Sequence, residues 1–145
     1  MSHHCKAAVV TCEDFRLHQR KDGRNYIAEF IKKLKCDADL ITRAGGVQDL
    51  FRPGGPNYDK SVFRDLEVST KLHQACEIHL INHTDCGAYG KFGFKSLAEE
   101  KEQHIKDLRA ARELMIGELP NTTIKLYILE LKKGSVDEYK IKKID

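Results

Sequence analysis

Residues 6–12 (KAAVVTC) form a short apolar run without alternation, the pattern of a strand buried on both faces of a parallel sheet. In residues 22–34, Tyr26, Ile27, Phe30, Ile31 and Leu34 recur at helical spacing with charges between them, which predicts an amphipathic helix. Residues 38–43 (ADLITR) read as a second strand, broken by Gly45-Gly46. Residues 50–60 contain Pro53, Gly54, Gly55 and Pro56 and predict a loop. In residues 61–75, Val62, Leu66, Ser69 and Leu72 mark one side of a helix. Residues 77–82 (EIHLIN) read as a third strand running into His83-Thr84-Asp85-Cys86-Gly87. The glycine- and aromatic-rich residues 89–94 predict irregular structure, and Ser96-Leu97-Ala98-Glu99 has the form of a capping box opening a long helix to about Gly117. Residues 124–131 (IKLYILEL) predict a fourth strand, which Lys132-Lys133-Gly134-Ser135 turns into a last short one over residues 138–144.

Strands alternating with helices predict an α/β fold. The expected architecture is a mostly parallel central sheet of about four strands plus an antiparallel edge strand, with helices on both faces. The 145 residues fit a single domain over residues 1–145, and a hydrophobic fraction of 41% supplies one core. The net charge of +3 is small and the charges are mixed, which argues against a nucleic-acid partner. No apolar run approaches the roughly 18 residues of a membrane helix, and no signal peptide opens the sequence, so a cytoplasmic setting without membrane contact is expected. In a reducing compartment the five cysteines point to packing, metal or catalysis rather than to disulfides.

Two cysteine-bearing segments fall just past the carboxyl ends of predicted strands, where ligands bind in open parallel sheets. One carries Cys12; the other carries His83 and Cys86. Thiolate and imidazole are ligands that zinc favours, and three protein ligands leave a fourth tetrahedral position open. His-x-x-Cys alone is a weak signal, because cysteine is often simply buried. Its pairing with Cys12 at a second strand end strengthens it. Cys5, Cys36 and Cys76 lack such company and read as core or incidental, and His3 and His4 stand near a terminus. In Cys12-Glu13-Asp14-Phe15-Arg16, extended geometry would point residues 12, 14 and 16 the same way, so that Asp14 and Arg16 could pair. The Cys12–Arg16 separation is too short for a cysteine-phosphatase loop, and Gly87-x-x-Gly90-x-x-Gly93 is neither a dinucleotide fingerprint nor a P-loop.

Cys12-x-Asp14-x-Arg16 resembles the Cys-x-Asp-x-Arg motif of beta-class carbonic anhydrases, and His83-x-x-Cys86-Gly87 resembles that family's His-x-x-Cys-Gly motif. Arg43-Ala44-Gly45-Gly46 is similar to the Arg-x-Ala-Gly stretch between them, and all three occur in the family's order. The resemblance implies one zinc ion per subunit on Cys12, His83 and Cys86. It implies an Asp14–Arg16 dyad beside the metal, with Asp14 able to swing onto zinc when Arg16 lets go. It further implies reversible hydration of carbon dioxide to bicarbonate by zinc-bound hydroxide, in a homodimer or higher homo-oligomer. Hydrolysis of carbon disulfide or carbonyl sulfide, or a non-catalytic zinc module, are the alternatives. Asn82 stands where a Gly commonly precedes the family's His, and the sequence has no tryptophan, so the Trp-containing bicarbonate site of some members is absent. His18, Tyr89 and His104 are candidates for proton relay.

Overall fold

The structure is a computed structural model that describes residues 3–145. Five strands form one sheet in the order β2-β1-β3-β4-β5: β1 Ala7–Thr11, β2 Ala38–Thr42, β3 Glu77–His83, β4 Thr123–Leu131 and β5 Tyr139–Ile144. The first four pair in parallel and β5 runs antiparallel along β4, as the sequence predicts. Three helices cover the sheet: α1 Tyr26–Leu34, α2 Tyr58–Lys71 and α3 Leu97–Glu118.

Alternating side chains of the buried strands feed two cores. Ala8, Val10, Ile78 and Leu80 pack on one face against Val62 and Leu66 of α2 and Leu108, Ala111 and Met115 of α3. Val9 and Ile81 face the other side, against Tyr26, Ile27 and Phe30 of α1. Burial on both faces explains why β1 reads as an unbroken apolar run. Among the described residues, no helix is long and apolar enough to cross a membrane.

Element boundaries depart from the expected ones where caps decide them. Helix α1 begins at Tyr26 rather than at residue 22, because Asn25 accepts a hydrogen bond from the Ala28 N–H and the preceding Asp22–Gly23 segment turns through a left-handed Gly23 (φ 86°). Helix α2 starts three residues early and ends before Leu72, since its first turn is polar and Gln74 adopts φ 59°, which stops the helix. At α3 the Ser96 hydroxyl accepts from the Glu99 N–H at 3.1 Å, while the Glu99 carboxylate accepts from the Lys95 N–H instead of closing the box on Ser96. The Ser96→Ala variant should lose about 1 kcal/mol of stability through the lost cap, read as a lowered midpoint in urea with an unchanged m value.

Candidate metal centre

β1 and β3 are direct parallel neighbours, with Thr11 opposite Ile81. Continuing that register sets Cys12 beside Asn82, next to the turn that carries His83 and Cys86. The three side chains converge: their sulfur and ring-nitrogen atoms lie within 4.8 Å of one another, and all three residues are buried. The two sulfurs are 3.9 Å apart.

The His83 ring is held by one of its two nitrogens. Its Nδ1–H donates to the Thr84 carbonyl at 2.9 Å, and the Tyr139 hydroxyl lies 3.4 Å from the same nitrogen. That bond fixes the tautomer and leaves Nε2 with a bare lone pair. Nε2 is buried with no hydrogen-bond partner. An orphaned acceptor in the interior is costly unless something occupies it.

The thiols carry the same message. The hydrogen bond from Cys86 and the nearby His83 pull the Cys12 thiol well below its ordinary value, while the bond to Cys12 and burial push Cys86 up. Two adjacent buried sulfurs thus share one proton, a conflict that a divalent cation removes by taking both as thiolates. The Gly45 N–H also donates to the Cys12 sulfur at 3.3 Å. The donor set and the bare Nε2 fit a zinc ion.

Asp14 and Arg16 form the predicted pair, although residues 15–17 are a 3-10 turn rather than extended chain. Arg16 Nε and Nη2 donate to the two Asp14 oxygens at 3.0 and 2.8 Å, and its backbone N–H donates to Oδ1 at 2.9 Å. Burial would raise the Asp14 carboxyl, but these bonds outweigh it and hold the group below the usual carboxylate range. Asp14 Oδ2 lies 3.9 Å from His83 Nε2 and stands outside the Cys12–His83–Cys86 cluster.

Asp85, Val136, Glu100, Asp107 and Arg52 also support the site, outside the motif residues and the relay candidates. Arg16 Nη1 donates to the Asp85 carboxylate and the Val136 carbonyl, and Nη2 also donates to the Asp85 carbonyl. Glu100, 5% exposed, accepts from the backbone N–H groups of Asp85 and Cys86 at 2.9 and 2.8 Å. His104 bonds Glu100 and Asn82, and Tyr89 donates to Asp107, which pairs with Arg52. The readable signal was the spacing: Glu100, His104 and Asp107 lie at helical intervals on the face of α3 that also carries Leu108, Ala111 and Met115. Of the relay candidates, Tyr89 and His104 are fully buried, and only His18, bonded to the Cys12 carbonyl, borders solvent.

Asn82 is explained by its partner across the sheet. Its Oδ1 accepts from the Val47 N–H, and a Cβ added at Gly46 (φ 59°) would lie 2.3 Å from that oxygen. The Asn82 amide occupies space that only a glycine at position 46 leaves free.

Glu100→Ala should destabilise the protein by on the order of 2–4 kcal/mol, because the buried Cys86 N–H and the part-buried Asp85 N–H lose their acceptor. Glu100→Gln, which keeps one acceptor oxygen, should recover part of that loss. Urea unfolding of the two variants checks both values, and a Glu100→Ala protein as stable as the parent would remove this support role.

A family model described as "Putative carbonic anhydrase" matches residues 2–141. An uncharacterized protein of Rickettsia bellii is 24% identical over 129 residues, which is 85% of this chain and 75% of the relative. A carbonic anhydrase from Streptococcus mutans superposes with a TM-score of 0.62 at 20% identity, covering 99% of this chain and 84% of that one. A structure of tetrameric beta-carbonic anhydrases from Sordaria macrospora gives 0.54 at 12% identity, covering 99% and 82%. At these identities the solved structures establish a common fold, whereas the family model spans nearly the whole chain. With the sheet, the ordered motifs and the buried Cys-His-Cys cluster, it shows that the chain belongs to the family of putative carbonic anhydrases.

Proposed function

We propose that this protein is a zinc-dependent carbonic anhydrase that hydrates carbon dioxide reversibly to bicarbonate, with Asp14 and Arg16 in catalytic and positioning roles. The observation that carries the reading is the partnerless, buried Nε2 of His83 aimed among the sulfurs of Cys12 and Cys86. Cys12, His83 and Cys86 would hold one zinc ion. Zinc bound by three protein ligands supplies a Lewis acid that lowers the pKa of a coordinated water toward roughly 7.

The chain's own groups do the rest. Asp14 stays ionised, so its carboxylate accepts a hydrogen bond from the attacking oxygen and turns that oxygen's lone pair toward substrate. Arg16 holds that carboxylate with a two-pronged donor and keeps it off the three ligands. Tyr139 and Thr84 hold the His83 ring, and the Gly45 N–H steadies the Cys12 thiolate. Carbon dioxide is small and uncharged, and its recognition requires exclusion of water more than charged partners. A groove lined by Asp14, Phe15, Arg16 and Val136 lies beside the dyad, with Phe15 76% and Val136 77% exposed. Such apolar side chains at the site's rim suit burial by a second copy of the chain, and a homodimer or higher homo-oligomer is part of the proposal. The five cysteines are all free, which suits a reducing, cytoplasmic setting.

Stopped-flow carbon dioxide hydration on zinc-loaded protein, with metal measured on the same sample, tests the activity. Cys86→Ala should weaken zinc retention by roughly tenfold or more, since loss of a ligand costs at least as much as loss of a supporting bond; unchanged metal content would overturn the ligand set. Asp14→Ala should keep its zinc and lose roughly 10²-fold or more in kcat/KM. Full hydration activity in that variant would leave the dyad without a catalytic role.

A further inference from the structure

Cys5 has no metal-ligand company in the sequence, but the fold gives it some. Cys5 precedes β1, Asp39 is the second residue of β2, and His73 follows the end of α2. Their sulfur, carboxylate and ring-nitrogen atoms lie within 4.8 Å of one another, as the atoms of the Cys12 cluster do. The Cys5 backbone N–H donates to the His73 carbonyl at 3.0 Å, which pins the cysteine against the α2–β3 connection. His73 Nδ1 meets Asp39 Oδ2 at 2.7 Å.

We propose that Cys5, Asp39 and His73 form a second divalent-cation site of zinc type, at the opposite end of the sheet from the first. Thiolate, imidazole and carboxylate together are a zinc donor set, whereas magnesium and calcium favour oxygen alone. Metal–ligand lengths of about 2.0–2.3 Å place donors roughly 3.3–3.8 Å apart in a tetrahedron, which small side-chain rotations reach from the observed spacing. All three residues are partly exposed, and Asp39 and His73 line an open surface groove, so solvent can supply a fourth ligand. Cys5 and Cys12 stand at opposite ends of β1, about 23 Å apart along the chain at roughly 3.3 Å per residue, so the two clusters share no ligand. A cation here would tie the segment before β1 to β2 and to the end of α2. It would act as a staple across three segments of the chain. The site is independent of the hydration chemistry.

The test is metal stoichiometry on the full chain. Reduced, chelator-stripped protein is titrated with Zn2+ or Co2+, desalted, and assayed for bound metal, with thiolate-to-cobalt absorption recorded in parallel. The unmodified chain should retain close to two equivalents. Cys5→Ser and His73→Asn should each retain close to one. In Cys5→Ser the cobalt absorption should fall to that of two thiolates, whereas in Cys86→Ala the second equivalent should persist. His73→Asn leaves the apolar core untouched and keeps the test valid if Cys5→Ser does not fold. A single equivalent in the unmodified chain that only Cys86→Ala removes would overturn this site while leaving the first intact. It would reduce Asp39–His73 to a surface ion pair. Loss of the second equivalent in a His3→Ala/His4→Ala variant but not in His73→Asn would assign the metal to the terminus and overturn the proposal equally.

Discussion

The guanidinium of Arg16 joins the three segments around the candidate centre. An arginine side chain has five N–H donors, and here each has an acceptor: both oxygens of Asp14 after β1, the carboxylate and carbonyl of Asp85 after β3, and the Val136 carbonyl between β4 and β5. Cys12 is two residues from Asp14 and Cys86 is next to Asp85, so the same ion that orients Asp14 also holds the two cysteine-bearing loops against each other. The bond to Asp14 raises the guanidinium above its ordinary, already high, value, so the clamp stays charged at every accessible pH.

Behind this clamp the protein buries a polar network. Glu100, His104, Asn82, Tyr89 and Asp107 run as one hydrogen-bonded series from the backbone of the Cys86 turn through the interior to Arg52. Buried polar groups are tolerated only when their partners are complete, and a satisfied network rigidifies what it touches. Burial would raise the Glu100 carboxyl, yet the His104 bond and the two backbone donors hold it below its usual range, so it remains a charged acceptor under the turn. The Asn82–Gly46 contact extends this order to the neighbouring loop: the amide and the missing Cβ are two halves of one fit.

The parallel sheet accounts for both clusters. Residues that enter neighbouring strands gather at one edge, and residues that leave them gather at the other. Cys12 and the His83–Cys86 turn meet at the carboxyl edge, and Cys5 and Asp39 meet at the amino edge, where the end of α2 brings His73. The two differ in burial. The first is enclosed, with an orphaned ring nitrogen, and the second is open to solvent.

Strand and helix identities were legible in the sequence because burial on two faces leaves an apolar run and burial on one face leaves a helical stripe, as in residues 6–12 and 22–34. The ligand candidates Cys12, His83 and Cys86 were legible through strand-end placement and through the order of their motifs. Helix limits were less so, because a cap such as Asn25 or a left-handed Gln74 carries almost no hydrophobic signal. What only the tertiary structure decided was company. Which carboxylate sits beneath the Cys86 turn, which hydroxyl faces His83 and which histidine approaches Cys5 depend on segments 14, 56 and 68 residues apart. Local pattern reports whether a side chain is inside or outside. Its partner is set by sheet order and register, which a single strand does not encode.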